Sequence, residues 1–187
     1  GAAAFDVGAA CSGFVYAINL ADSIVRAGRA KTVAVIGVDA MTSIIDYADR
    51  TCSILFGDAA GAVILRADPN PELGCIYQHM GADGSGWHAL YIPRYEKDVP
   101  ACDSENKTRL GCLRMNGKEV FKLAVRVMAD SCERVLADCG KHSDDVAWFI
   151  PHQANIRIVE AVADVGIFEG SMMHFLDSMM RPNRNVP

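Results

Sequence analysis

Two residues in this chain have the chemistry and the surroundings of catalysts, Cys11 in Asp6-Val-Gly-Ala-Ala-Cys11-Ser-Gly-Phe14 and His152 in Pro151-His152-Gln-Ala-Asn155. Gly8, Ala9 and Ala10 before Cys11, and Ser12-Gly13 after it, leave the backbone nearly free of bulk, so it can bend sharply or approach a ligand closely. A thiolate held there would attack carbonyl carbon. A neutral imidazole at His152 can donate a hydrogen bond to a developing oxyanion or exchange a proton. Each motif alone also fits a plainer role, a small buried core cysteine and a structural turn.

The elements around these residues set their exposure. From Ser12 to Gly28 the polar residues Asn19, Asp22, Ser23 and Arg26 recur at helical spacing among apolar ones, which predicts a mostly buried helix with one wet stripe and Gly28 as its C-cap. Cys11 then stands at the N-terminal end, where the unpaired N–H groups and the helix dipole should lower the thiol pKa. The run Val146-Ala-Trp-Phe-Ile150 predicts a strand stopped by Pro151, with His152 at its carboxyl end and a helix beyond carrying Ile156, Val159 and Val162 on its apolar face. Val33–Val38 and Gly61–Leu65 read as further strands, the first buried. Alternating strands and helices predict an α/β layered sheet, in which ligands bind at the carboxyl ends of strands. Gly57 and Gly61 serve turns and packing rather than phosphate, since no Gly-Lys-Ser/Thr follows them.

Cys11 in its motif, the Phe56-Gly-Asp-Ala-Ala-Gly-Ala62 block and Pro151 to Asn155 together resemble the β-ketoacyl-[acyl-carrier-protein] synthase III family, the initiating condensing enzymes of type II fatty acid synthesis. The resemblance runs from Gly1 to about Val165. It implies a thiolase-like, layered α-β-α-β-α fold, incomplete in this chain. It also implies a decarboxylating Claisen condensation with no metal and no cofactor, acyl-CoA (acetyl-CoA as starter) being a substrate. By the same resemblance Cys11 carries the acyl group and contributes its N–H to an oxyanion hole. His152 polarises the thioester of malonyl-acyl carrier protein, Arg50 and Asn155 bind substrate, and Gln153 and Arg157 contact the carrier protein. Independently, Lys118, Lys122 and Arg126 step by four along one face of a helix near Lys118–Cys139. That face suits an acidic carrier protein, or is an ordinary solvated face. The intact family forms homodimers and works in the cytoplasm, or in the plastid of a photosynthetic eukaryote. Two other readings stay open: a condensing enzyme that loads an unusual acyl starter for secondary metabolism, and a catalytically dead product that only binds CoA, carrier protein or a partner subunit.

The chain departs from the family in two places. It begins without Met, near the end of the family's first half, and after Val165 the family's Gly-Asn-Thr-Ser motif does not occur. Asn183 and Asn185 lack that motif's flanks, so no residue matches the catalytic asparagine. The resulting division is 1–90 as the end of the N-terminal half, 91–114 as an inserted surface loop, 115–165 as the start of the C-terminal half, and 166–187 as a divergent tail. Loss of part of a two-half core should expose sheet edges and apolar faces and call for a partner.

A net charge of −5 with 51% hydrophobic residues describes a globular chain and argues against general nucleic-acid binding. No apolar run is long enough to span a bilayer. Seven cysteines without a Cys-x-x-Cys pair or a zinc-spaced cluster predict free thiols in a reducing compartment, with Cys132 and Cys139 on the core face of the Lys118–Cys139 helix.

Overall fold

The computed structural model describes residues 1–70 and 73–164. They gather into two compact units: Gly1–Ile45 with Phe56–Asp83, and Asp46–Leu55 with the described residues from Gly84 onward. The segment that carries Arg50 therefore groups with the later part of the chain.

The first unit is one helix on a two-stranded ribbon. Helix α1 spans Gly13–Arg26. Its end is set by Gly28, at φ 68°, whose N–H reaches Val25 O at 2.9 Å while Arg29 N–H reaches Ile24 O at 3.1 Å. Only a residue without a Cβ takes that left-handed turn without strain. Strands β1 (Thr32–Ala40) and β2 (Asp58–Arg66) pair antiparallel, from Thr32 opposite Arg66 to Ala40 opposite Asp58. The run 33–38 is not buried on both faces, as its composition suggests. Val35 is buried and Val33 and Gly37 are half-buried on the face toward α1, whereas Ile36 and Val38 are exposed, as is Ile64 on β2. A ribbon covered by a single helix buries alternate residues only, and no further strand joins either edge among the described residues.

The wet stripe of α1 also differs from expectation. Asn19 is 5% exposed and donates Nδ2 to Val15 O at 2.8 Å, while Val15 and Leu20 are exposed. The polar work falls to Asp22 and Arg26, paired at 2.7 Å. Gln78 Nε2 donates to Asp22 at 2.6 Å and Arg26 Nη2 donates to Cys75 O at 2.5 Å. With Tyr16 Oη donating to Gly81 O at 2.8 Å, these bonds clasp the 75–81 segment to the helix. Asp58, in the Phe56–Ala62 block, accepts from Thr42 N and Thr42 Oγ1 at 2.8 and 2.6 Å and ties the end of β1 to the start of β2.

In the second unit the short helix α2 (Arg50–Ser53) is N-capped by Asp49, which accepts from Thr51 N at 2.9 Å. Asp49 also accepts from Thr108 Oγ1 at 2.8 Å and Asp46 from Arg109 N at 2.9 Å, so two carboxylates fasten 46–55 to 108–109. Strands β3 (Leu90–Tyr91) and β4 (Arg114–Met115) form a two-residue antiparallel ladder that closes the base of the 91–114 stretch. Helix α3 (Gly117–Cys139) starts at Asn116, whose side chain accepts from Glu119 N, and stops at Gly140 with φ 61°. Ala129 is its buried residue, while Cys132 and Cys139 are half-buried. Helix α4 (Ile156–Asp164) packs on α3 and buries Ile158, Val159 and Val162.

The predicted strand 146–150 does not form. Those residues are assigned to no ladder, and Trp148 and Ile150 are 61% and 79% exposed. A β-forming run becomes a strand only beside another strand, and among the described residues this run pairs with neither ribbon. The 166–187 tail, with Asn183 and Asn185, lies outside the described residues.

Candidate active site

Cys11 sits in a single 3₁₀ turn, Ala10–Ser12, that leads directly into α1. Ala10, just before it, has φ 45°, the one non-glycine residue in the left-handed region among those described. Strain of this kind persists only where surrounding structure enforces it, and it clusters at functional sites. The small residues on both sides permit the elbow, which leaves the Cys11 side chain exposed.

The elbow changes the electrostatics expected of a helix start. Ser12 N–H donates to Ala9 O and Gly13 N–H to Ala10 O, so the tight turn spends the first donors internally. Although its surface is exposed, the surrounding atoms desolvate the Cys11 thiolate and push the thiol pKa up. Its own backbone N–H pulls the other way, and the Asp39 carboxylate at the end of β1 pushes it up further. The predicted lowering by the helix N-terminus is thus overturned. Cys132, by comparison, is pushed up to about 11, first by burial and then by the charge of Glu133. Cys11 is set apart by exposure and backbone strain, not by acidity.

His152 follows the buried Pro151 and is exposed, as are Gln153 and Ala154. Asn155 accepts from Arg157 N at 2.9 Å through its side chain, and its carbonyl accepts from Ile158 N and Val159 N. Asn155 is therefore the N-cap of α4, and it fixes where the helix starts relative to His152. Arg157 is exposed on α4, and Lys118, Lys122 and Arg126 are exposed along α3, the helix on which α4 packs. Arg50 opens α2 and is exposed. One unit thus carries Cys11, and the other carries Arg50, Lys122, His152, Gln153, Asn155 and Arg157. Among the described residues no group of His, Cys, Asp and Glu side chains is arranged to hold a metal ion, and no helix is long and apolar enough to cross a membrane.

Reading the sequence missed two features beside Cys11. Asp39 had a visible signal, a lone carboxylate closing an apolar strand. The left-handed Ala10 had none beyond the absence of bulk around it. In the second unit it also missed Arg114, a buried cation inside the apolar run Leu113–Met115.

Comparison with known proteins identifies the family and the fold. Residues 5–84, which hold Cys11, Asp39, Arg50 and the Phe56–Ala62 block, match the family model of 3-oxoacyl-[acyl-carrier-protein] synthase III. A β-ketoacyl-[acyl-carrier-protein] synthase III of Xanthomonas campestris is 48% identical over 163 residues, 87% of this chain and 49% of the relative. One from Campylobacter curvus is 43% identical over 162 residues, 87% of this chain and 48% of the relative. The crystal structure of 3-oxoacyl-[acyl-carrier-protein] synthase III from Aquifex aeolicus superposes with a TM-score of 0.77 at 39% identity, over 90% of this chain and 49% of that one. The priming β-ketosynthase of the R1128 polyketide pathway gives 0.74 at 34% identity, covering 90% and 49%. The chain spans about half the length of the curated relatives it matches. It has their α/β, thiolase-like fold, and it belongs to the β-ketoacyl-[acyl-carrier-protein] synthase III family.

Proposed function

We propose that this chain carries the acyl-accepting and condensing residues of a β-ketoacyl-[acyl-carrier-protein] synthase III that joins an acyl-CoA starter, acetyl-CoA first, to malonyl-acyl carrier protein. The observation that carries the reading is Cys11, an exposed thiol on a left-handed elbow at the start of α1, inside the segment that matches the family model. The Cys11 sulfur attacks the thioester carbonyl of acyl-CoA, the carbon–sulfur bond to coenzyme A breaks, and coenzyme A leaves as its thiol with the proton from Cys11. Loss of carbon dioxide from the malonyl group then leaves a carbanion on its α-carbon. That carbanion attacks the acyl carbon on Cys11, forms the new carbon–carbon bond and releases the sulfur. A covalent intermediate splits one difficult step into two easier ones.

In this scheme His152 donates a hydrogen bond to the malonyl thioester oxygen as charge develops there. Arg50 binds the phosphates of coenzyme A. Asn155 binds substrate, and by capping α4 it also fixes where the helix starts beside His152. Lys122, with Lys118, Arg126, Gln153 and Arg157, forms the docking face for the acidic carrier protein. No cofactor is required, and the intact protein acts as a homodimer in the cytoplasm or plastid.

The test is incubation of the chain with acetyl-CoA followed by mass analysis of the cysteine-bearing peptides. An acetyl group confined to Cys11, lost in Cys11→Ser, is expected. Retained labelling in Cys11→Ser would remove the nucleophile assignment. Likeness to the priming ketosynthase of a polyketide pathway favours a second reading, a starter other than acetyl; competition among acyl-CoA chain lengths in the same labelling separates the two.

A further inference from the structure

We propose that Gly37 is a positioning residue for Cys11, acting through the ring of Phe14, which rests on the bare backbone of Gly37 and thereby sets the seat of the α1 N-terminus on the ribbon. The inference rests on the reading of Cys11 as the nucleophile.

Phe14 lies in the first turn of α1, three residues after Cys11. Gly37 lies on the same face of β1 as the buried Val35, because alternate strand residues share a face. A Cβ placed on Gly37 would meet Phe14 Cδ2 at 3.1 Å and Cγ and Cε2 at 3.8 Å. Gly37 does not take a left-handed backbone, so conformation alone would admit any residue there. The ring explains the glycine instead. Gly61 stands directly opposite on β2, and a Cβ there would meet nothing within 4 Å. The contact is therefore specific to one of two paired glycines. Asp39, two residues beyond Gly37 in β1, is the charged group that acts on the Cys11 thiol, together with Cys11's own N–H. The depth at which Phe14 seats thus decides how close Cys11 lies to that carboxylate and to the atoms that desolvate it. A displaced nucleophile loses reactivity steeply, because orientation within about an ångström carries much of the rate.

The experiment is the pH profile of alkylation by iodoacetamide, read peptide by peptide so that exposed Cys102 serves as reference within the same chain. Gly37→Ala is expected to lift the start of α1 and move the midpoint for Cys11 to lower pH, since both desolvation and the Asp39 charge then weaken, while Cys102 is unchanged. Adding Phe14→Leu to Gly37→Ala should return the Cys11 midpoint toward that of the parent chain, and Gly61→Ala should leave it in place. An unchanged midpoint in Gly37→Ala, or an equal shift in Gly61→Ala, overturns the proposal. Should Gly37→Ala fail to fold, Phe14→Leu alone removes the peg without touching the strand; a midpoint it does not move is equally fatal. Acetyl-CoA labelling separates the two levels. A Cys11 that shifts as described but takes no acetyl group refutes the nucleophile and leaves the seat standing.

Discussion

Arg114 gives the second unit its most sensitive point. The side chain is 5% exposed, its Nη1 lies 3.6 Å from Asp103 Oδ2, and its Nη2 donates to Thr108 O at 2.7 Å. Its Nε has no partner. Tyr91 Oη donates to the same Asp103 oxygen at 2.5 Å. Asp103→Ala would leave a buried guanidinium without its counter-charge and a phenol without its acceptor. Removing one partner of a fully buried pair costs about 3–5 kcal/mol. Asp103 is 26% exposed, so water can reach the vacated site, and about 3 kcal/mol is the reasonable figure, the lost Tyr91 bond included. With a urea m-value of roughly 2 kcal/mol/M, the midpoint falls by about 1.5 M. Fluorescence reads this locally, because the Trp87 ring meets Tyr91 edge-on with centroids 5.7 Å apart. Adding Arg114→Met removes the stranded charge, so the double variant should recover part of the loss, to within about 1–2 kcal/mol of the parent. A double variant no more stable than Asp103→Ala would refute the claim that the uncompensated charge is what costs.

Four further outcomes follow from local geometry and charge. Gly140→Ala forces a Cβ into a left-handed C-cap at φ 61° and should destabilise α3 by about 1 kcal/mol in thermal or urea unfolding. The Tyr91 phenol is pushed up to about 12 from 10.0, first by burial and then by Asp103. Its contribution to stability is complete below pH 10 and is lost as pH rises through about 12, which an alkaline urea series measures. Asp46 and Asp58 are held below the ordinary 3.8, Asp46 by the N–H groups of Arg109 and Ala48 and Asp58 by the hydroxyl and N–H of Thr42; their contributions are present above 3.8 and fall away as acid protonates them, so unfolding midpoints should drop below that pH. Lys122→Glu should weaken carrier-protein binding at low salt and matter little at high salt, as titration at two ionic strengths would show.

What was legible in the chain was local. Gly28 ends α1 because glycine turns left-handed cheaply, and the apolar spacing of Phe121 to Leu136 locates α3 without reference to anything else. What depended on distant partners was not legible. Val146–Ile150 has strand composition and no ladder; Asn19 has helix-surface chemistry and is buried; Asp103 looks like part of a solvated charge run and is the counter-ion of a buried arginine. Each of these turns on what lies opposite the residue, and a one-dimensional pattern cannot name that. The site divides in the same way. Cys11 was visible from the small residues about it, while Asp39 and the Gly37–Phe14 contact come from β1 meeting α1.

That division bears on how Cys11 reacts. Desolvation by surrounding atoms and the Asp39 charge keep its thiol pKa high, which lowers the thiolate population at neutral pH. A more basic thiolate is also the better nucleophile. With a Brønsted coefficient of about 0.4–0.5, each unit of elevation costs roughly half a logarithmic unit of rate rather than a whole one. Replacing Asp39 by Asn removes one of the two effects that disfavour the thiolate, so the pH midpoint of Cys11 alkylation must fall. The gain in rate at neutral pH should be smaller than the gain in thiolate, because each ion is now less nucleophilic. A midpoint that stays in place would mean that desolvation alone sets the thiol. A rate that rises in full proportion to the thiolate would mean that basicity is not what limits attack, and that the strained elbow at Ala10 governs access instead.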